Sequence, residues 1–114
     1  MEVKKYYESL MNCLELTDYE SIKQSISVIK SAVEKNKWIF TCGNGGSATT
    51  ASHFVTDWAK MRLVNQNKNF KALCLSDNVG MLSAYANDIS YENIFDQSLI
   101  NYGSEGDVII LVSG

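Results

Sequence analysis

Proline is missing from all 114 residues, with no evident physical cause, and histidine occurs once. No run approaches the roughly 18 apolar residues of a membrane span, so none is expected. The opening residues, Met1-Glu2-Val3-Lys4-Lys5-Tyr6-Tyr7-Glu8, lack the apolar core of a secretory signal. The three cysteines, Cys13, Cys42 and Cys74, are odd in number and far apart, and form no C-x-x-C pair. That count speaks against both a disulfide framework and a Cys-rich zinc site. Cys42 and Cys74 sit in or at the end of apolar runs, where a free thiol serves as a small core residue, and the compartment implied is the reducing cytosol. Excess positive charge is missing too. Ten basic against 13 acidic residues give a net charge of −3, with no drive toward nucleic acid or anionic lipid.

What remains is an ordinary core-forming composition, 46% hydrophobic and 20% charged. The length is one domain's worth, able to bury roughly two-thirds of its unfolded surface. Val3, Tyr6, Tyr7, Leu10, Met11 and Leu14 recur at spacings of three and four, one apolar stripe on a helix. Two destinations stay open for that stripe: the chain's own sheet, or a subunit interface. Thr17-Asp18-Tyr19-Glu20 reads as a capping box opening a second amphipathic helix, with Ile22, Ile26, Ile29 and Val33 on one face.

Trp38–Cys42 reads as a strand and Gly43–Ser47 as a turn. A helix is expected from Ala48 through Ala51, Phe54, Val55 and Trp58 to about Leu63, and then a polar loop over Asn65–Asn69. Further on, a strand is predicted over Phe70–Leu75 and helices over Val79–Ala86 and Tyr91–Tyr102, the last with Ile94, Phe95 and Leu99 inward. Val108–Val112 is a continuous apolar run, as in a strand buried on both faces of a parallel sheet. Strand, helix, strand, helix, strand predicts an α/β fold with right-handed crossovers.

The strongest local signal is Cys42-Gly43-Asn44-Gly45-Gly46-Ser47 between a strand and a helix. Three glycines permit positive φ and close approach of the backbone to a ligand. The free amides of a helix's first turn favour an anion. In open α/β sheets such sites lie beyond the carboxyl ends of the strands. A tight turn without a ligand would need fewer glycines, and would not need the Asn and Ser as well. No Lys follows the glycines, which excludes a P-loop. Gly43-x-Gly45-x-x-Ala48 satisfies the dinucleotide pattern, but the acid at the end of the next strand, Asp77, lies 34 residues after Gly43, where about 20 is expected.

The loop, the segment Ser47-Ala48-Thr49-Thr50-Ala51-Ser52-His53-Phe54, and Ala86-Asn87-Asp88 followed by Asn93-Ile94-Phe95 resemble the sugar isomerase (SIS) domain family, and within it the phosphoheptose isomerases. Glu105-Gly106-Asp107-Val108 through Ser113 continues the resemblance along nearly the whole chain. It implies a parallel-sheet, flavodoxin-like SIS sandwich with N-terminal helices over 1–36 and the first half of the sheet over 37–114. The chain is then an incomplete single domain, truncated after its third strand. The resemblance also implies isomerisation of sedoheptulose 7-phosphate to D-glycero-D-manno-heptose 7-phosphate through an enediol, for heptose in surface polysaccharide. Asn44, Gly45, Gly46, Ser47, Asn87, Asp88 and Ser113 would bind substrate. His53 and Asp57 would bind one zinc ion per subunit, with Asp57 also the catalytic base. Asp57 stands where the family carries a Glu, one methylene longer. The expected assembly is a cytoplasmic homotetramer without nucleic-acid or membrane partners.

Residues four apart share a helix face, so His53 and Asp57 should stand together, away from Phe54, Val55 and Trp58. By spacing alone H-x-x-x-D is a solvated face as readily as half of a zinc site, which needs three or four ligands. The alternative function is a non-catalytic SIS module that binds sugar phosphate in a regulatory or protein-interaction role.

Overall fold

A computed structural model describes residues 2–64 and 69–114. The chain runs α1 (Val3–Glu15), α2 (Tyr19–Glu34), β1 (Ile39–Cys42), α3 (Gly46–Val64), β2 (Ala72–Cys74), α4 (Val79–Asp88), a 3-10 turn (Tyr91–Asn93), α5 (Asp96–Tyr102) and β3 (Val108–Leu111). The expected polar loop after α3 lies outside the described residues, apart from Asn69.

The three strands form one parallel sheet in the order β2-β1-β3. β1 is central, with Ile39 opposite Ala72 and Val108, and Thr41 opposite Cys74 and Ile110. All four β1 residues are buried, as a central strand covered on both faces requires. Phe40, Cys42 and Leu75 form the core cluster on one face, and Phe95 and Leu99 pack against it. On the other side Thr41 Oγ1 donates to the Ala51 carbonyl at 2.8 Å, and Ala51 is wholly buried. That bond satisfies a buried hydroxyl and seats α3 close on β1. Phe54, Trp58 and Phe70 stack in series at 5.4 and 5.5 Å between ring centroids. They fix the rotation of α3, leaving its opposite face to solvent.

Several local expectations are corrected. The cap of α2 is Asp18, whose carboxylate accepts from the Glu20 and Ser21 amides, while Thr17 Oγ1 donates back to the Cys13 carbonyl. Asp reaches the N2 and N3 amides from one position further on, so Thr17 is left to close the end of α1. The helix expected over Tyr91–Tyr102 is two pieces, because Ser90 and Asn93 bond each other and Asn93 reaches on to Asp96. Such local side-chain bonds compete with helix continuation. β3 is shorter than expected and is not covered on both faces, since Ile109 is 39% and Leu111 71% exposed. Within the described residues β3 pairs with β1 alone.

α2 ends through Asn36 in the left-handed conformation (φ 55°), with Lys37 N–H on the Ala32 carbonyl and Asn36 N–H on that of Val33. That is the double bond pattern of a Schellman ending, with Asn where Gly is commonest. It turns the chain directly into β1. α1, by contrast, buries none of its residues. The radius of gyration, 16.7 Å, exceeds the about 13 Å of a close-packed chain near this length, which reflects the outlying helical arm.

Candidate functional site

The strand order places the chemistry. From β1 the chain passes through α3 to β2 on one side, then returns across β1 to β3 on the other. That reversal opens a crevice between the carboxyl ends of β1 and β3, the switch-point position at which α/β sheets bind ligands. A cleft of about 350 Å³ lies there, lined by Asn44 and Ser47 from the glycine loop, Ser113 after β3, and Phe95 and Leu111 as apolar walls. Three substrate-binding residues expected from the sequence, separated by as many as 69 positions, therefore share one cleft.

The loop's conformation depends on two of its glycines. Gly45 has φ 56°, a left-handed value that side chains resist. Gly43 is compressed: a Cβ there would lie 2.7 Å from the Ser47 carbonyl group and 2.8 Å from the Val112 carbonyl oxygen. Beyond Gly43 the backbone carbonyls turn into the helix. Asn44 accepts from the Ser47 and Ala48 amides, and Gly45 from those of Ala48 and Thr49. α3 consequently begins at Gly46, two residues earlier than the expected Ala48. Among the described residues, the Asn44, Gly45 and Gly46 amides donate to no protein acceptor. Three unspent donors at a helix N-terminus suit an anion or a polarised oxygen.

His53 Nε2 and Asp57 Oδ2 lie 3.4 Å apart on α3, and both side chains are well exposed. The helical spacing sets them about 100° around α3 from Phe54 and Trp58 of the aromatic stack. At 1.5 Å rise per residue they sit about 10 and 16 Å beyond Gly46 along the helix axis. An imidazole and a carboxylate side by side could serve as two donors to a metal ion. Among the described residues there is no cluster of three or more His, Cys, Asp or Glu side chains around one point. The pair is thus at most part of the three- or four-ligand set that zinc takes.

Asn87 and Asp88 end α4, where Asn87 Nδ2 donates to Asp88 Oδ1 at 3.0 Å and both side chains are exposed. They are not among the residues lining the loop cleft, and neither are Gly45 and Gly46. The candidate residues therefore fall into three groups: the glycine loop with its cleft, the α3 pair and the α4 pair.

Burial pushes the Cys42 thiol up from its ordinary pKa, and Cys74 adds to the effect. Cys42 is buried and packs as a small core residue, as its apolar setting indicated. Phe95, part of the Asn93-Ile94-Phe95 motif and expected inward, is also a cleft wall. One residue had no signal in the motif reading. Ser76, part-buried just beyond β2, exchanges two hydrogen bonds with Gly43. Its only clue was its place at the carboxyl end of a strand.

Comparison with known proteins agrees with this geometry. The chain is 33% identical over 114 residues to a phosphoheptose isomerase of Clostridium acetobutylicum and 35% identical over 112 residues to one of Helicobacter pylori strain P12, covering 98% of this chain and 57% of each relative. It spans little more than half the length of the curated relatives it matches. In three dimensions it aligns with phosphoheptose isomerases of Neisseria gonorrhoeae (TM-score 0.82) and Francisella tularensis (TM-score 0.84). Each alignment covers 96% of this chain at 23% identity, and 55% and 58% of those chains respectively. At that identity the structural likeness speaks for the fold: the three-stranded parallel sheet is that of these isomerases. The SIS domain family matches residues 4–114, and the chain belongs to it.

Proposed function

We propose that this chain contributes to a sugar-phosphate isomerase that interconverts sedoheptulose 7-phosphate and D-glycero-D-manno-heptose 7-phosphate. The observation that carries this reading is the switch-point cleft lined by Asn44, Ser47 and Ser113, beside a loop with three unspent amides, in a chain whose relatives are phosphoheptose isomerases. An aldose–ketose isomerisation moves one proton between adjacent carbons and needs a base, donors for the enediolate oxygens, and a grip on the rest of the substrate. The Asn44, Gly45 and Gly46 amides with Ser47 and Ser113 would hold phosphate and hydroxyl oxygens and so fix the reacting carbons in place. Asp57 would take the proton from the carbon beside the carbonyl and return it to the neighbouring carbon. Its distance along α3 from the loop suits a base working at the far end of an extended substrate.

His53 and Asp57 would hold a zinc ion, completed by donors from outside the described residues. When bound, that ion would supply Lewis-acid polarisation of a substrate oxygen. Asn87 and Asp88 would contact substrate in the assembled protein. The same reading places the enzyme in the cytoplasm, supplying heptose for surface polysaccharide. No helix among the described residues is long and apolar enough to cross a membrane.

Self-association belongs to this proposal. Tyr6, Tyr7, Leu10, Met11 and Leu14 are all exposed on α1, which supports a subunit interface over packing on the chain's own sheet. A second uncovered apolar surface lies between α2 and α3, lined by Ile29, Val33, Met61 and Phe70. A homo-oligomer, a tetramer by family likeness, would cover both and bring the separate groups of site residues together across subunits.

The test is to incubate sedoheptulose 7-phosphate with the polypeptide expressed from its natural reading frame, with and without zinc, and to follow heptose 7-phosphate. Absence of turnover under both conditions rejects the isomerase. A non-catalytic sugar-phosphate-binding module is favoured by one observation, the shorter Asp57 in the place of the family Glu. That module predicts thermal stabilisation by the sugar phosphate without conversion. Loss of a measured turnover in Asp57→Ala would exclude it.

A further inference from the structure

In a parallel ladder every second residue of β1 sends its N–H to the carbonyl before its β2 partner and receives the N–H after it, the residues between bonding β3. Thr41 is opposite Cys74, and Leu75 N–H accordingly reaches the Thr41 carbonyl at 2.8 Å. Two residues on, the register sets Gly43 opposite Ser76. The next rungs would be Gly43 N–H to the Leu75 carbonyl and Asp77 N–H to the Gly43 carbonyl. Neither forms, because the chain turns away there, with Asp77 N–H folded back onto the Cys74 carbonyl at 3.2 Å. The Ser76 hydroxyl takes both places. It accepts from Gly43 N–H at 3.1 Å and donates to the Gly43 carbonyl at 2.7 Å.

We propose that Ser76 is a positioning residue for the glycine loop, which sets the Asn44, Gly45 and Gly46 amides toward the ligand. The hydroxyl is suited to this because it donates and accepts at once. Gly43 is buried, so both of its polar groups need partners. Without Ser76 they would have to find them by rotating the peptide units of the loop. Gly43 has no Cβ and no freedom to translate, wedged as it is between the Ser47 and Val112 carbonyls. Rotation is the motion left to it, and rotation of that peptide re-aims the donors that follow. On the other side of β1, Val112 N–H holds the Cys42 carbonyl at 2.9 Å. The two attachments together define the orientation in which the loop leaves the sheet.

The ligand side of this inference rests on the proposed isomerase. The test therefore uses two readouts on Ser76→Ala, Ser76→Thr and the parent. The first is amide hydrogen exchange across the chain. Ser76→Ala should speed exchange about tenfold or more at the Gly43 and Ser47 amides, the two of the loop that are hydrogen-bonded, and leave α2 and the start of β1 unchanged. The second is steady-state isomerisation of sedoheptulose 7-phosphate. KM should rise roughly tenfold in Ser76→Ala, as for about 1.4 kcal/mol of lost positioning, with kcat less affected. Ser76→Thr, which keeps the hydroxyl, should restore both. If Ser76→Ala does not fold, Ser76→Cys, with a weaker donor and acceptor in similar volume, should give a graded form of the same pattern. Unchanged loop exchange in the variant, or a change spread evenly over the sheet, would overturn the proposal. So would a Thr variant as impaired as the Ala variant. A parent without isomerase activity would sink the functional reading, and the exchange pattern would still decide whether Ser76 holds the loop.

Discussion

The two ends of β1 are finished by side chains, but in opposite ways. At the amino end the Asp107 carboxylate accepts from the Trp38 amide at 2.9 Å and from the Ser104 amide at 2.8 Å, while Val108 N–H bonds the Trp38 carbonyl. Lys37 Nζ adds a bond to the Glu105 carbonyl. That end is a closed latch in which the Lys37, Trp38 and Ile39 amides leading into β1 all have acceptors. At the carboxyl end a neutral hydroxyl, Ser76, settles Gly43 alone, and the next three amides stay uncommitted. The difference shows what would separate a structural turn from a binding turn. Both tie neighbouring strands together, but one end leaves donors that a ligand could take.

The hardest blow to this contrast is expected from Gly43→Ala. Its Cβ meets backbone atoms of α3 and of the segment after β3, and backbone gives way less readily than a side-chain tip. We expect a loss of about 3 kcal/mol, read by denaturant unfolding, together with loss of sugar-phosphate binding. Gly46→Ala is the control. Nothing lies within 4 Å of its Cβ and the position is helical, so stability should change by no more than about 0.5 kcal/mol. Equal losses in the two variants would show that the wedge at Gly43 is unimportant.

The opposite end supplies the next smaller effect. Asp107→Ala removes the acceptor of the Trp38 and Ser104 amides. The melting temperature should fall by a few degrees, while sugar-phosphate affinity stays within about twofold, since the latch and the cleft lie at opposite ends of the strand. A large loss of affinity in this variant would mean that the two ends are coupled through β1 and are not independent.

Much of this architecture could be read without coordinates. The order of strands and helices followed from apolar periodicity, and the fold class from their alternation. The loop announced itself, because three glycines with Asn and Ser exceed what a turn needs. The His53–Asp57 pairing followed from a spacing of four on a helix. Harder to read were features decided by contacts distant in sequence. Ser76 and Gly43 are 33 residues apart and meet only through strand register. The exposure of Leu111 depends on what lies beside β3, which an apolar run cannot reveal. The cap of α2 fell to Asp18 over Thr17, a choice between adjacent good caps that pattern alone leaves open. Asn87 and Asp88 were legible as a motif. Their separation from the loop cleft was not, because the motif carries no spatial information.

The smallest predicted effect separates the two ends by charge. Burial by itself would raise the Asp107 carboxyl, but its bonds from the Trp38 amide and from the Ser104 amide and hydroxyl, with Lys37 nearby, outweigh that and hold its pKa below the usual range. A carboxyl depressed in the folded state stabilises fully above its unfolded value, and that stability is lost as pH falls through the folded value. The amino-end latch should therefore weaken from about pH 4 downward. The carboxyl end, held by a hydroxyl, has no such dependence. Asp18 is depressed as well, chiefly by the Ser21 hydroxyl, and would confuse a measurement on the parent alone. The informative quantity is the difference between the parent and Asp107→Asn at each pH, in which the Asp18 contribution cancels. That difference in unfolding free energy should be largest near neutrality and shrink toward pH 3. A difference independent of pH would show that the latch works by geometry and not by charge, and the contrast between the two ends of β1 would then reduce to the number of amides each leaves free.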